Sequence, residues 1–292
     1  MRSNSNPHGR YPPSPDEHPC YTGQHGKFVK MHLPVGGKCN IHCKFCESGL
    51  EHEGLRADYP GRTLKVVTPE DASKIIDRVK EECGRIDVVG IAGPGDPLAN
   101  WEEVKAVFDV VAEEAPEAKR CMSTNGVWLP EMLDDVLEVV HSITVTVNAL
   151  DPEVAALIYD RALTRDGEIL EDEDAARWIT EKHEECFDVL SDVKYVLKKV
   201  NFVLVPEVNE DEVEKVAKRA AESNFHAMNV IPLIPGGDMK DHRPPTCDEI
   251  AEARDRAEKY IPVMRRCMQC RADVIHCHGH PRLIWELLEE GE

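Results

Sequence analysis

Apolar runs and amphipathic stretches alternate along most of the chain. The run IDVVGIA at 86–92 predicts a buried strand, and SITVTVNAL at 142–150 is the clearest β-branched strand. A capping Thr68 followed by Pro69 marks the start of a helix. Behind this start the apolar positions fall on one helical face, at Ala72, Ile75, Ile76, Val79 and Cys83.

These patterns predict six strands separated by helices. The strands are expected at 27–35, 86–92, 118–124, 142–150, 200–206 and 225–235. Helices are expected behind Thr68 and at 101–115, 130–140, 151–199, 209–223 and 246–260. The helical stretch 151–199 is expected to be interrupted near TRDGEILED. Such alternation is typical of parallel βαβ units, and six units suit a partial (β/α)6 barrel better than a closed eight-stranded one. Functional sites are then expected at the carboxyl ends of the strands.

Three segments are expected along the chain. Residues 1–26 are rich in Pro, Gly, Ser and His without periodicity, which predicts an irregular N-terminal arm. The barrel is expected to span 27–260, and 261–292 is expected to be a C-terminal extension. No apolar run approaches the ~20 residues that a bilayer crossing needs, and the N-terminus has no apolar signal core. A cytoplasmic protein is therefore predicted.

Charge and cysteine content narrow the functional classes. The net charge of −20 argues against nucleic acid and against anionic membrane surfaces as partners. A hydrophobic fraction of 41% is enough for a folded core. The eleven cysteines are not expected to form disulfides in a reducing compartment. Their clustering indicates metal chemistry for some of them and simple burial for the others.

Cys39, Cys43 and Cys46 form the tightest cluster, with Cx3Cx2C spacing directly after the first predicted strand. A structural zinc site needs four ligands, usually as two CxxC pairs, and an iron–sulfur cubane also normally takes four cysteines. Three thiolates leave one iron open to a ligand. The alternative, three cysteines buried in a core, fits poorly because polar residues lie between them.

Small and polar residues near the strand ends are further candidates for ligand binding. The loop GIAGPGDPLAN at 90–100 carries glycines that let the backbone approach a ligand closely. The candidates in this loop and at the later strand ends are Gly93, Gly95, Asp96, Ser123, Asn125, Asn148 and Asn201. Ordinary turn chemistry is the alternative for each of them, since these residue types are common in turns.

The other cysteines are less clearly assigned. Cys267 and Cys270 form a CxxC flanked by arginines, which favour the thiolate form; a redox pair or half a zinc site are the alternatives. Cys121 is either a third ligand beside this CxxC or a small core residue. Cys277 lies in a histidine-rich stretch that resembles a short metal-binding tract.

Several motifs together resemble a known family. The Cx3Cx2C triad with Phe45 before its last cysteine resembles that of radical S-adenosylmethionine (SAM) enzymes. The strings HPCY, CNIHCKFC, GIAGPGDPLAN, STNG, NALDPE and RRCMQCRAD occur over 18–275 in the order found in the NifB family. The resemblance implies a radical SAM partial barrel with a [4Fe–4S] cluster on Cys39, Cys43 and Cys46, and SAM bound beside it.

The resemblance also implies an unusual reaction. NifB proteins are maturases that fuse two further [4Fe–4S] clusters with a SAM-derived carbide and an added sulfur, giving the eight-iron precursor of the nitrogenase cofactor. The expected partners are an iron–sulfur donor, downstream carrier or scaffold proteins and a low-potential electron donor.

Ligands for the two substrate clusters follow from the same resemblance. Cys121, Cys267 and Cys270 match the ligands of one cluster, and Cys20 with His18 matches those of the other. His52 stands where relatives have a cysteine, a departure from the family pattern, and imidazole can ligate cluster iron.

Two other functions remain open on the sequence. One is a radical SAM enzyme of another kind, for example a peptide-modifying one, in which the CxxC holds a permanent electron-transfer cluster. The other is a non-catalytic iron–sulfur carrier, which would have no use for an open triad and SAM-type loops.

Overall fold

The computed structural model describes residues 14–47, 61–266, 271–277 and 280–289. The predicted ligands His52, Cys267 and Cys270 lie outside these ranges. In the described residues the fold is built on one large sheet. Its strands are β1 Lys30–His32, β3 Val88–Ile91, β4 Lys119–Thr124, β5 Ser142–Thr146, β8 Leu197–Leu204, β9 Ala227–Pro232, β10 Val274–Cys277 and β11 His280–Leu283. Across the sheet these strands lie in the order β11-β10-β1-β3-β4-β5-β8-β9.

The strands β1, β3, β4, β5, β8 and β9 all pair in parallel, so the predicted partial barrel of six βα units is confirmed. Helices cover the outside of this sheet. Their bounds are α1 Pro19–Thr22, α2 Pro69–Cys83, α3 Trp101–Glu114, α4 Leu129–Leu137, α5 Pro152–Ile158, α6 Asp172–Ser191, α7 Glu212–Glu222, α8 Cys247–Glu258 and α9 Ile284–Glu289. Among the described helices none is both long and apolar enough to cross a membrane.

Helix α2 shows how local sequence sets the element bounds. Thr68 and Asp71 form a reciprocal capping box at its start, and Gly84 ends it in the left-handed conformation with φ 77°. Its five predicted core positions are all buried. The predicted helical face is therefore the face that packs on the sheet.

A hairpin and a disulfide are among the features that differ from the sequence prediction. The interruption near 164–172 is a hairpin of β6 Tyr159–Leu163 and β7 Ile169–Glu171, which pairs antiparallel with β2 Ile41–Cys43 in a second, three-stranded sheet.

The expectation that no disulfide forms is wrong for one pair. Cys83, at the end of α2, is bonded to Cys277 on β10, with 5.9 Å between their Cα atoms. Folding places these two residues side by side although they are 194 positions apart.

Candidate functional site

The interior of the barrel carries many polar side chains, although buried parallel strands are normally apolar on both faces. Most side chains that point outward between the sheet and the helices are apolar, as with Met31, Ile143 and Val200. Those that point inward surround a cavity of about 200 Å³, here called the barrel chamber. Its inward-facing polar strand residues are Lys30, His32, Cys121, Ser123, Ser142, Thr144, Lys199, Asn201 and Asn229.

The N-terminal arm closes one side of the barrel chamber. His18 caps the short helix α1, with its Nδ1 accepting from the backbone N–H of Cys20. Its Nε2 lies 2.8 Å from the Sγ of Cys121, and the hydroxyl of Tyr21 lies 3.2 Å from the Oγ of Ser142. The structure thus brings together His18, Cys20 and Cys121, residues that the family resemblance divides between two clusters.

Charges around Cys20 favour its thiolate. Burial opposes its ionisation, but the nearby Lys30, Lys199 and His18 hold the pKa of Cys20 well below its ordinary value. The Nζ of Lys30 lies 3.6 Å from the Cys20 Sγ. Burial alone would lower the pKa of His18, yet the charge and hydrogen bond of Cys121, with a smaller contribution from Cys20, raise it to about 9. Soft ligands, with Cys20 favoured as a thiolate, therefore lie at this end of the chamber.

The predicted triad lies in residues 38–46, a segment that includes β2 and is here called the triad loop. Cys43 is the last residue of β2, and a turn follows in which the N–H of Cys46 donates to the carbonyl of Cys43 at 2.8 Å. Burial raises the pKa of the Cys43 thiol well above its ordinary value, and the charges of Cys46 and Cys39 raise it further. The three thiols are thus close enough to repel one another when ionised. The positive charge of bound iron would instead lower their pKa values and favour the thiolates.

Amide groups beside the triad fit an iron–sulfur cluster. Asn125 Nδ2 donates to Asn40 Oδ1 at 2.6 Å and to Cys39 Sγ at 3.8 Å. The Nδ2 of Asn40 is buried and has no hydrogen-bond partner within the described part of the chain. Amide hydrogens directed at sulfur are a common device for tuning such clusters. The donor set and its surroundings therefore fit a cluster on Cys39, Cys43 and Cys46.

The loop after β3 holds the triad loop in place. Asn100 Oδ1 accepts from the N–H groups of Gly37 and Lys38, and its Nδ2 donates to the Lys38 carbonyl. Gly95 has φ 69°, and a Cβ there would lie 2.2 Å from the Lys38 carbonyl oxygen. Only glycine permits this approach. The predicted glycine loop at 90–100 thus packs against the triad loop.

Asp96 joins the same loop to the end of β4. Its buried carboxylate accepts from the N–H groups of Leu98 and Asn125 and from the Thr124 hydroxyl. Burial raises the pKa of Asp96 to about 6, against the effect of these hydrogen bonds. Asn125 is held from behind by the ring of His183, whose Nε2 lies 2.9 Å from the Asn125 carbonyl.

The remaining predicted residues lie in three different places. Ser123 and Asn201 line the barrel chamber. Asn148 is buried and bonds to Tyr159 and to the Val203 N–H, so its amide connects strands rather than facing a cavity. Gly93 lies against the backbone of Gly61. The binding roles predicted for these residues stay predictions.

Sequence reasoning missed two parts of the site. Lys30, His32 and Lys199 line the barrel chamber. They could have been predicted from the polar residues at every second position of these strands, because buried parallel strands are normally apolar on both faces. The loop after β9 was also missed: the N–H groups of Asp238 and Met239 donate to the Lys44 carbonyl within the triad loop, at 2.7 and 3.2 Å. Its signal was the turn sequence PGG at the end of a predicted strand.

Sequence comparisons group this chain with known proteins. The Radical SAM superfamily model matches residues 33–220. The FeMo cofactor biosynthesis protein NifB of Methanocaldococcus infernus is 39% identical over 280 residues, covering 94% of this chain and 89% of that protein. The protein of the same name from Klebsiella pneumoniae is 36% identical over 273 residues, 91% of this chain and 58% of that protein.

Solved structures share the fold at low identity. Streptococcus suis SuiB bound to S-adenosylmethionine superposes with a TM-score of 0.55 at 11% identity, covering 80% of this chain and 50% of that one. A radical SAM methyltransferase from Sphaerobacter thermophilus gives 0.54 at 18% identity, covering 87% of this chain and 69% of that one. At such identities the likeness is one of fold alone.

Proposed function

The chain belongs to the NifB family of radical SAM proteins, and from that membership we propose that it makes the iron–sulfur precursor of the nitrogenase FeMo cofactor. In this proposal two [4Fe–4S] clusters are the substrates. They are joined around a carbide derived from a SAM methyl group, with one sulfur added, to give an eight-iron product. The proposed setting is the cytoplasm, with an iron–sulfur donor, a low-potential electron donor and a downstream carrier protein as partners.

One observation carries the proposal: the barrel holds two separate thiol sites, the triad loop and the barrel chamber. A [4Fe–4S] cluster bound by Cys39, Cys43 and Cys46 would supply the electron that cleaves SAM. The glycine loop, Asn125 and the loop after β9 fix the position of these cysteines. A second set of soft ligands inside the barrel fits a substrate that itself contains iron and sulfur.

The chamber residues suit a cluster that is bound and later released. Cys20 and His18 come from a short arm segment, while Cys121 comes from a packed strand. On either side of the predicted CxxC, Met264 lines the barrel chamber and the Arg271 carbonyl lies 2.9 Å from His32 Nδ1. These flanking positions support a role for Cys267 and Cys270 at the same chamber.

The test is anaerobic reconstitution with iron and sulfide, followed by iron analysis and electron paramagnetic resonance of the reduced protein with and without SAM. We expect about twelve irons per chain, four for each of three cubanes, and one cluster signal that changes with SAM. Only about four irons per chain would contradict the proposal. Auxiliary iron that stays in the chain after turnover would favour a radical SAM enzyme with permanent electron-transfer clusters.

A further inference from the structure

Three side chains able to ligate a metal ion converge beside the triad loop, outside both thiol sites. His42 on β2, Asp160 on β6 and Asp238 in the loop after β9 each offer one ligand atom, and these atoms all lie within 4.8 Å of one another. The closest pair is His42 Nδ1 and Asp160 Oδ1, at 2.6 Å. Two of the residues are partly exposed and Asp238 is exposed, so an ion can reach them from solvent.

Strand pairing fixes the positions of the first two ligands. In the register of β2 and β6, His42 lies opposite Arg161 and Cys43 lies opposite Tyr159. Asp160 is therefore the extra residue of a β-bulge between these two pairs. A bulge changes the direction in which a strand presents its side chains, and here the Asp160 carboxylate meets the His42 ring.

The third ligand is fixed by a close contact between two loops. The N–H of Asp238 donates to the Lys44 carbonyl at 2.7 Å. The preceding Gly237 has φ 52°, and a Cβ there would lie 2.6 Å from the same carbonyl oxygen. Only glycine allows the loop after β9 to lie this close to the triad loop. The backbone contacts therefore place the Asp238 carboxylate beside His42 without help from an ion.

The charge of this cluster is not balanced by the protein. In the described part of the chain the Asp160 carboxylate pairs with His42, and the Asp238 carboxylate has no hydrogen bond or ion pair. The adjacent Lys44 donates its Nζ to the Ala156 carbonyl, at 2.7 Å, rather than to either carboxylate. One imidazolium can offset only one of two carboxylates that repel each other at this separation. A divalent cation would balance both.

The donor set defines the class of ion. One imidazole nitrogen with two carboxylate oxygens suits divalent first-row metals such as Mn²⁺, Fe²⁺ and Zn²⁺, and it lacks the thiolates that select softer ions. An ordinary ion pair between His42 and Asp160 is the alternative explanation. That pair accounts for two of the three ligand atoms, but it gives no reason for Asp238 to lie beside them.

We propose that His42, Asp160 and Asp238 bind one divalent first-row metal ion, which fastens the triad loop to the β6–β7 hairpin and to the loop after β9. This ion is distinct from the iron–sulfur clusters, because none of its ligands is a thiol. The inference goes beyond the proposed function and does not depend on it, since these side chains converge whatever the triad binds.

The test is a Mn²⁺ titration of the reconstituted, chelator-washed full chain, with free Mn²⁺ measured by electron paramagnetic resonance at room temperature. Manganese suits the test because it prefers oxygen ligands to thiolates. We expect the wild type to bind one tight Mn²⁺ per chain and its thermal unfolding midpoint to rise with Mn²⁺. His42→Gln, Asp160→Asn and Asp238→Asn should each lower the affinity about tenfold or more.

Asp241→Asn is the matched control, because it removes the same charge from an exposed position in the same stretch after β9. It should bind Mn²⁺ as the wild type does. An equal loss of affinity in this control would show diffuse attraction to an acidic chain and would overturn the inference. Wild-type protein that binds no tight Mn²⁺ would overturn it as well.

Iron per chain, measured on the same samples, separates metal binding from damage to the fold. Asp238→Asn should retain its iron, because the contact with the triad loop is made by the backbone N–H that this substitution keeps. Joint loss of iron and Mn²⁺ in this variant would show a structural role and would overturn the inference. Wild-type protein with only about four irons would contradict the proposed function, while the Mn²⁺ titration would still decide the cation site.

Discussion

Cys43 is one of the three proposed ligands of the SAM-cleaving cluster, so the proposed radical chemistry depends on it directly. Cys43→Ala removes one of three ligands, so we expect reductive cleavage of SAM to be abolished and iron to fall by about four per chain. Iron in the barrel chamber should remain, because its ligands come from other elements. The assay is 5′-deoxyadenosine release with iron analysis.

Cys186→Ala is the control for this substitution. Cys186 is also buried, and burial raises the pKa of its thiol to about 12, but it packs in the core. The control should keep both iron and SAM cleavage. Loss of all iron from Cys43→Ala would contradict two separate sites.

His183 links the site to the stability of the fold through its protonation. It is fully buried, and burial lowers its pKa to about 4. The unfolded chain takes up this proton near pH 6.5 and the folded chain only near pH 4, so stability is full above pH 6.5 and falls as pH decreases between these values. The loss from this group at pH 5 relative to pH 7.5 is about 2 kcal/mol.

His183→Gln keeps an N–H donor for the Asn125 carbonyl but cannot titrate. We expect urea unfolding of the variant to lose about 2 kcal/mol less than wild type between pH 7.5 and pH 5. An equal loss in both proteins would show that His183 is protonated in the fold.

At the residue scale, spacing predicts only what lies close in sequence. Cys39, Cys43 and Cys46 could be identified because one loop carries all three. The contact of His18 with Cys121 joins residues 103 positions apart, and no local pattern encodes it. A signal for the chamber lysines was present in the alternation of the strands.

At the element scale, the glycine loop after β3 sets the position of the triad loop. Gly95→Ala should lower stability and cluster retention, because its Cβ meets the Lys38 carbonyl oxygen at 2.2 Å. Gly84→Ala is the matched control: Gly84 also has positive φ, of 77°, but a Cβ added there has nothing within 4 Å. The control should lose only the about 1–2 kcal/mol of the left-handed conformation and should retain its iron.

Chemical denaturation and iron analysis of both variants measure the difference. Equal iron retention in the two variants would mean that the close approach of the glycine loop does not fix the position of the triad loop.

Element prediction succeeded where a segment had one clear period. The six parallel strands and the helices between them follow from apolar runs and helical spacing. The hairpin at 159–171 was missed because its short strands are half exposed and pair with β2, which is distant in sequence. Strands β10 and β11 were missed because the sequence HCHGHP resembles a metal-binding tract more than a strand.

At the scale of the whole molecule, the disulfide joins the last strands to the second helix. Breaking it should lower stability by about 2–5 kcal/mol, because it closes a long loop. We expect reductant to lower the unfolding midpoint of wild type and to have no such effect on Cys83→Ala. Cys247→Ala, which changes an exposed free cysteine, should respond to reductant as wild type does. A wild-type midpoint that ignores reductant would show that the bond contributes nothing.

The N-terminal arm has a consequence for the energetics of loading. The same short segment provides His18 and Cys20 and forms one wall of the barrel chamber. In the proposed function a cluster binds to His18 and Cys20 in the chamber, which makes docking of the arm and occupation of the chamber linked equilibria. A bound cluster would increase the equilibrium constant for docking of the arm by some factor. By thermodynamic reciprocity, docking of the arm increases the affinity for the cluster by the same factor. In that proposal, undocking of the arm lowers the affinity of the chamber for its product, which would favour transfer of the product to a downstream carrier.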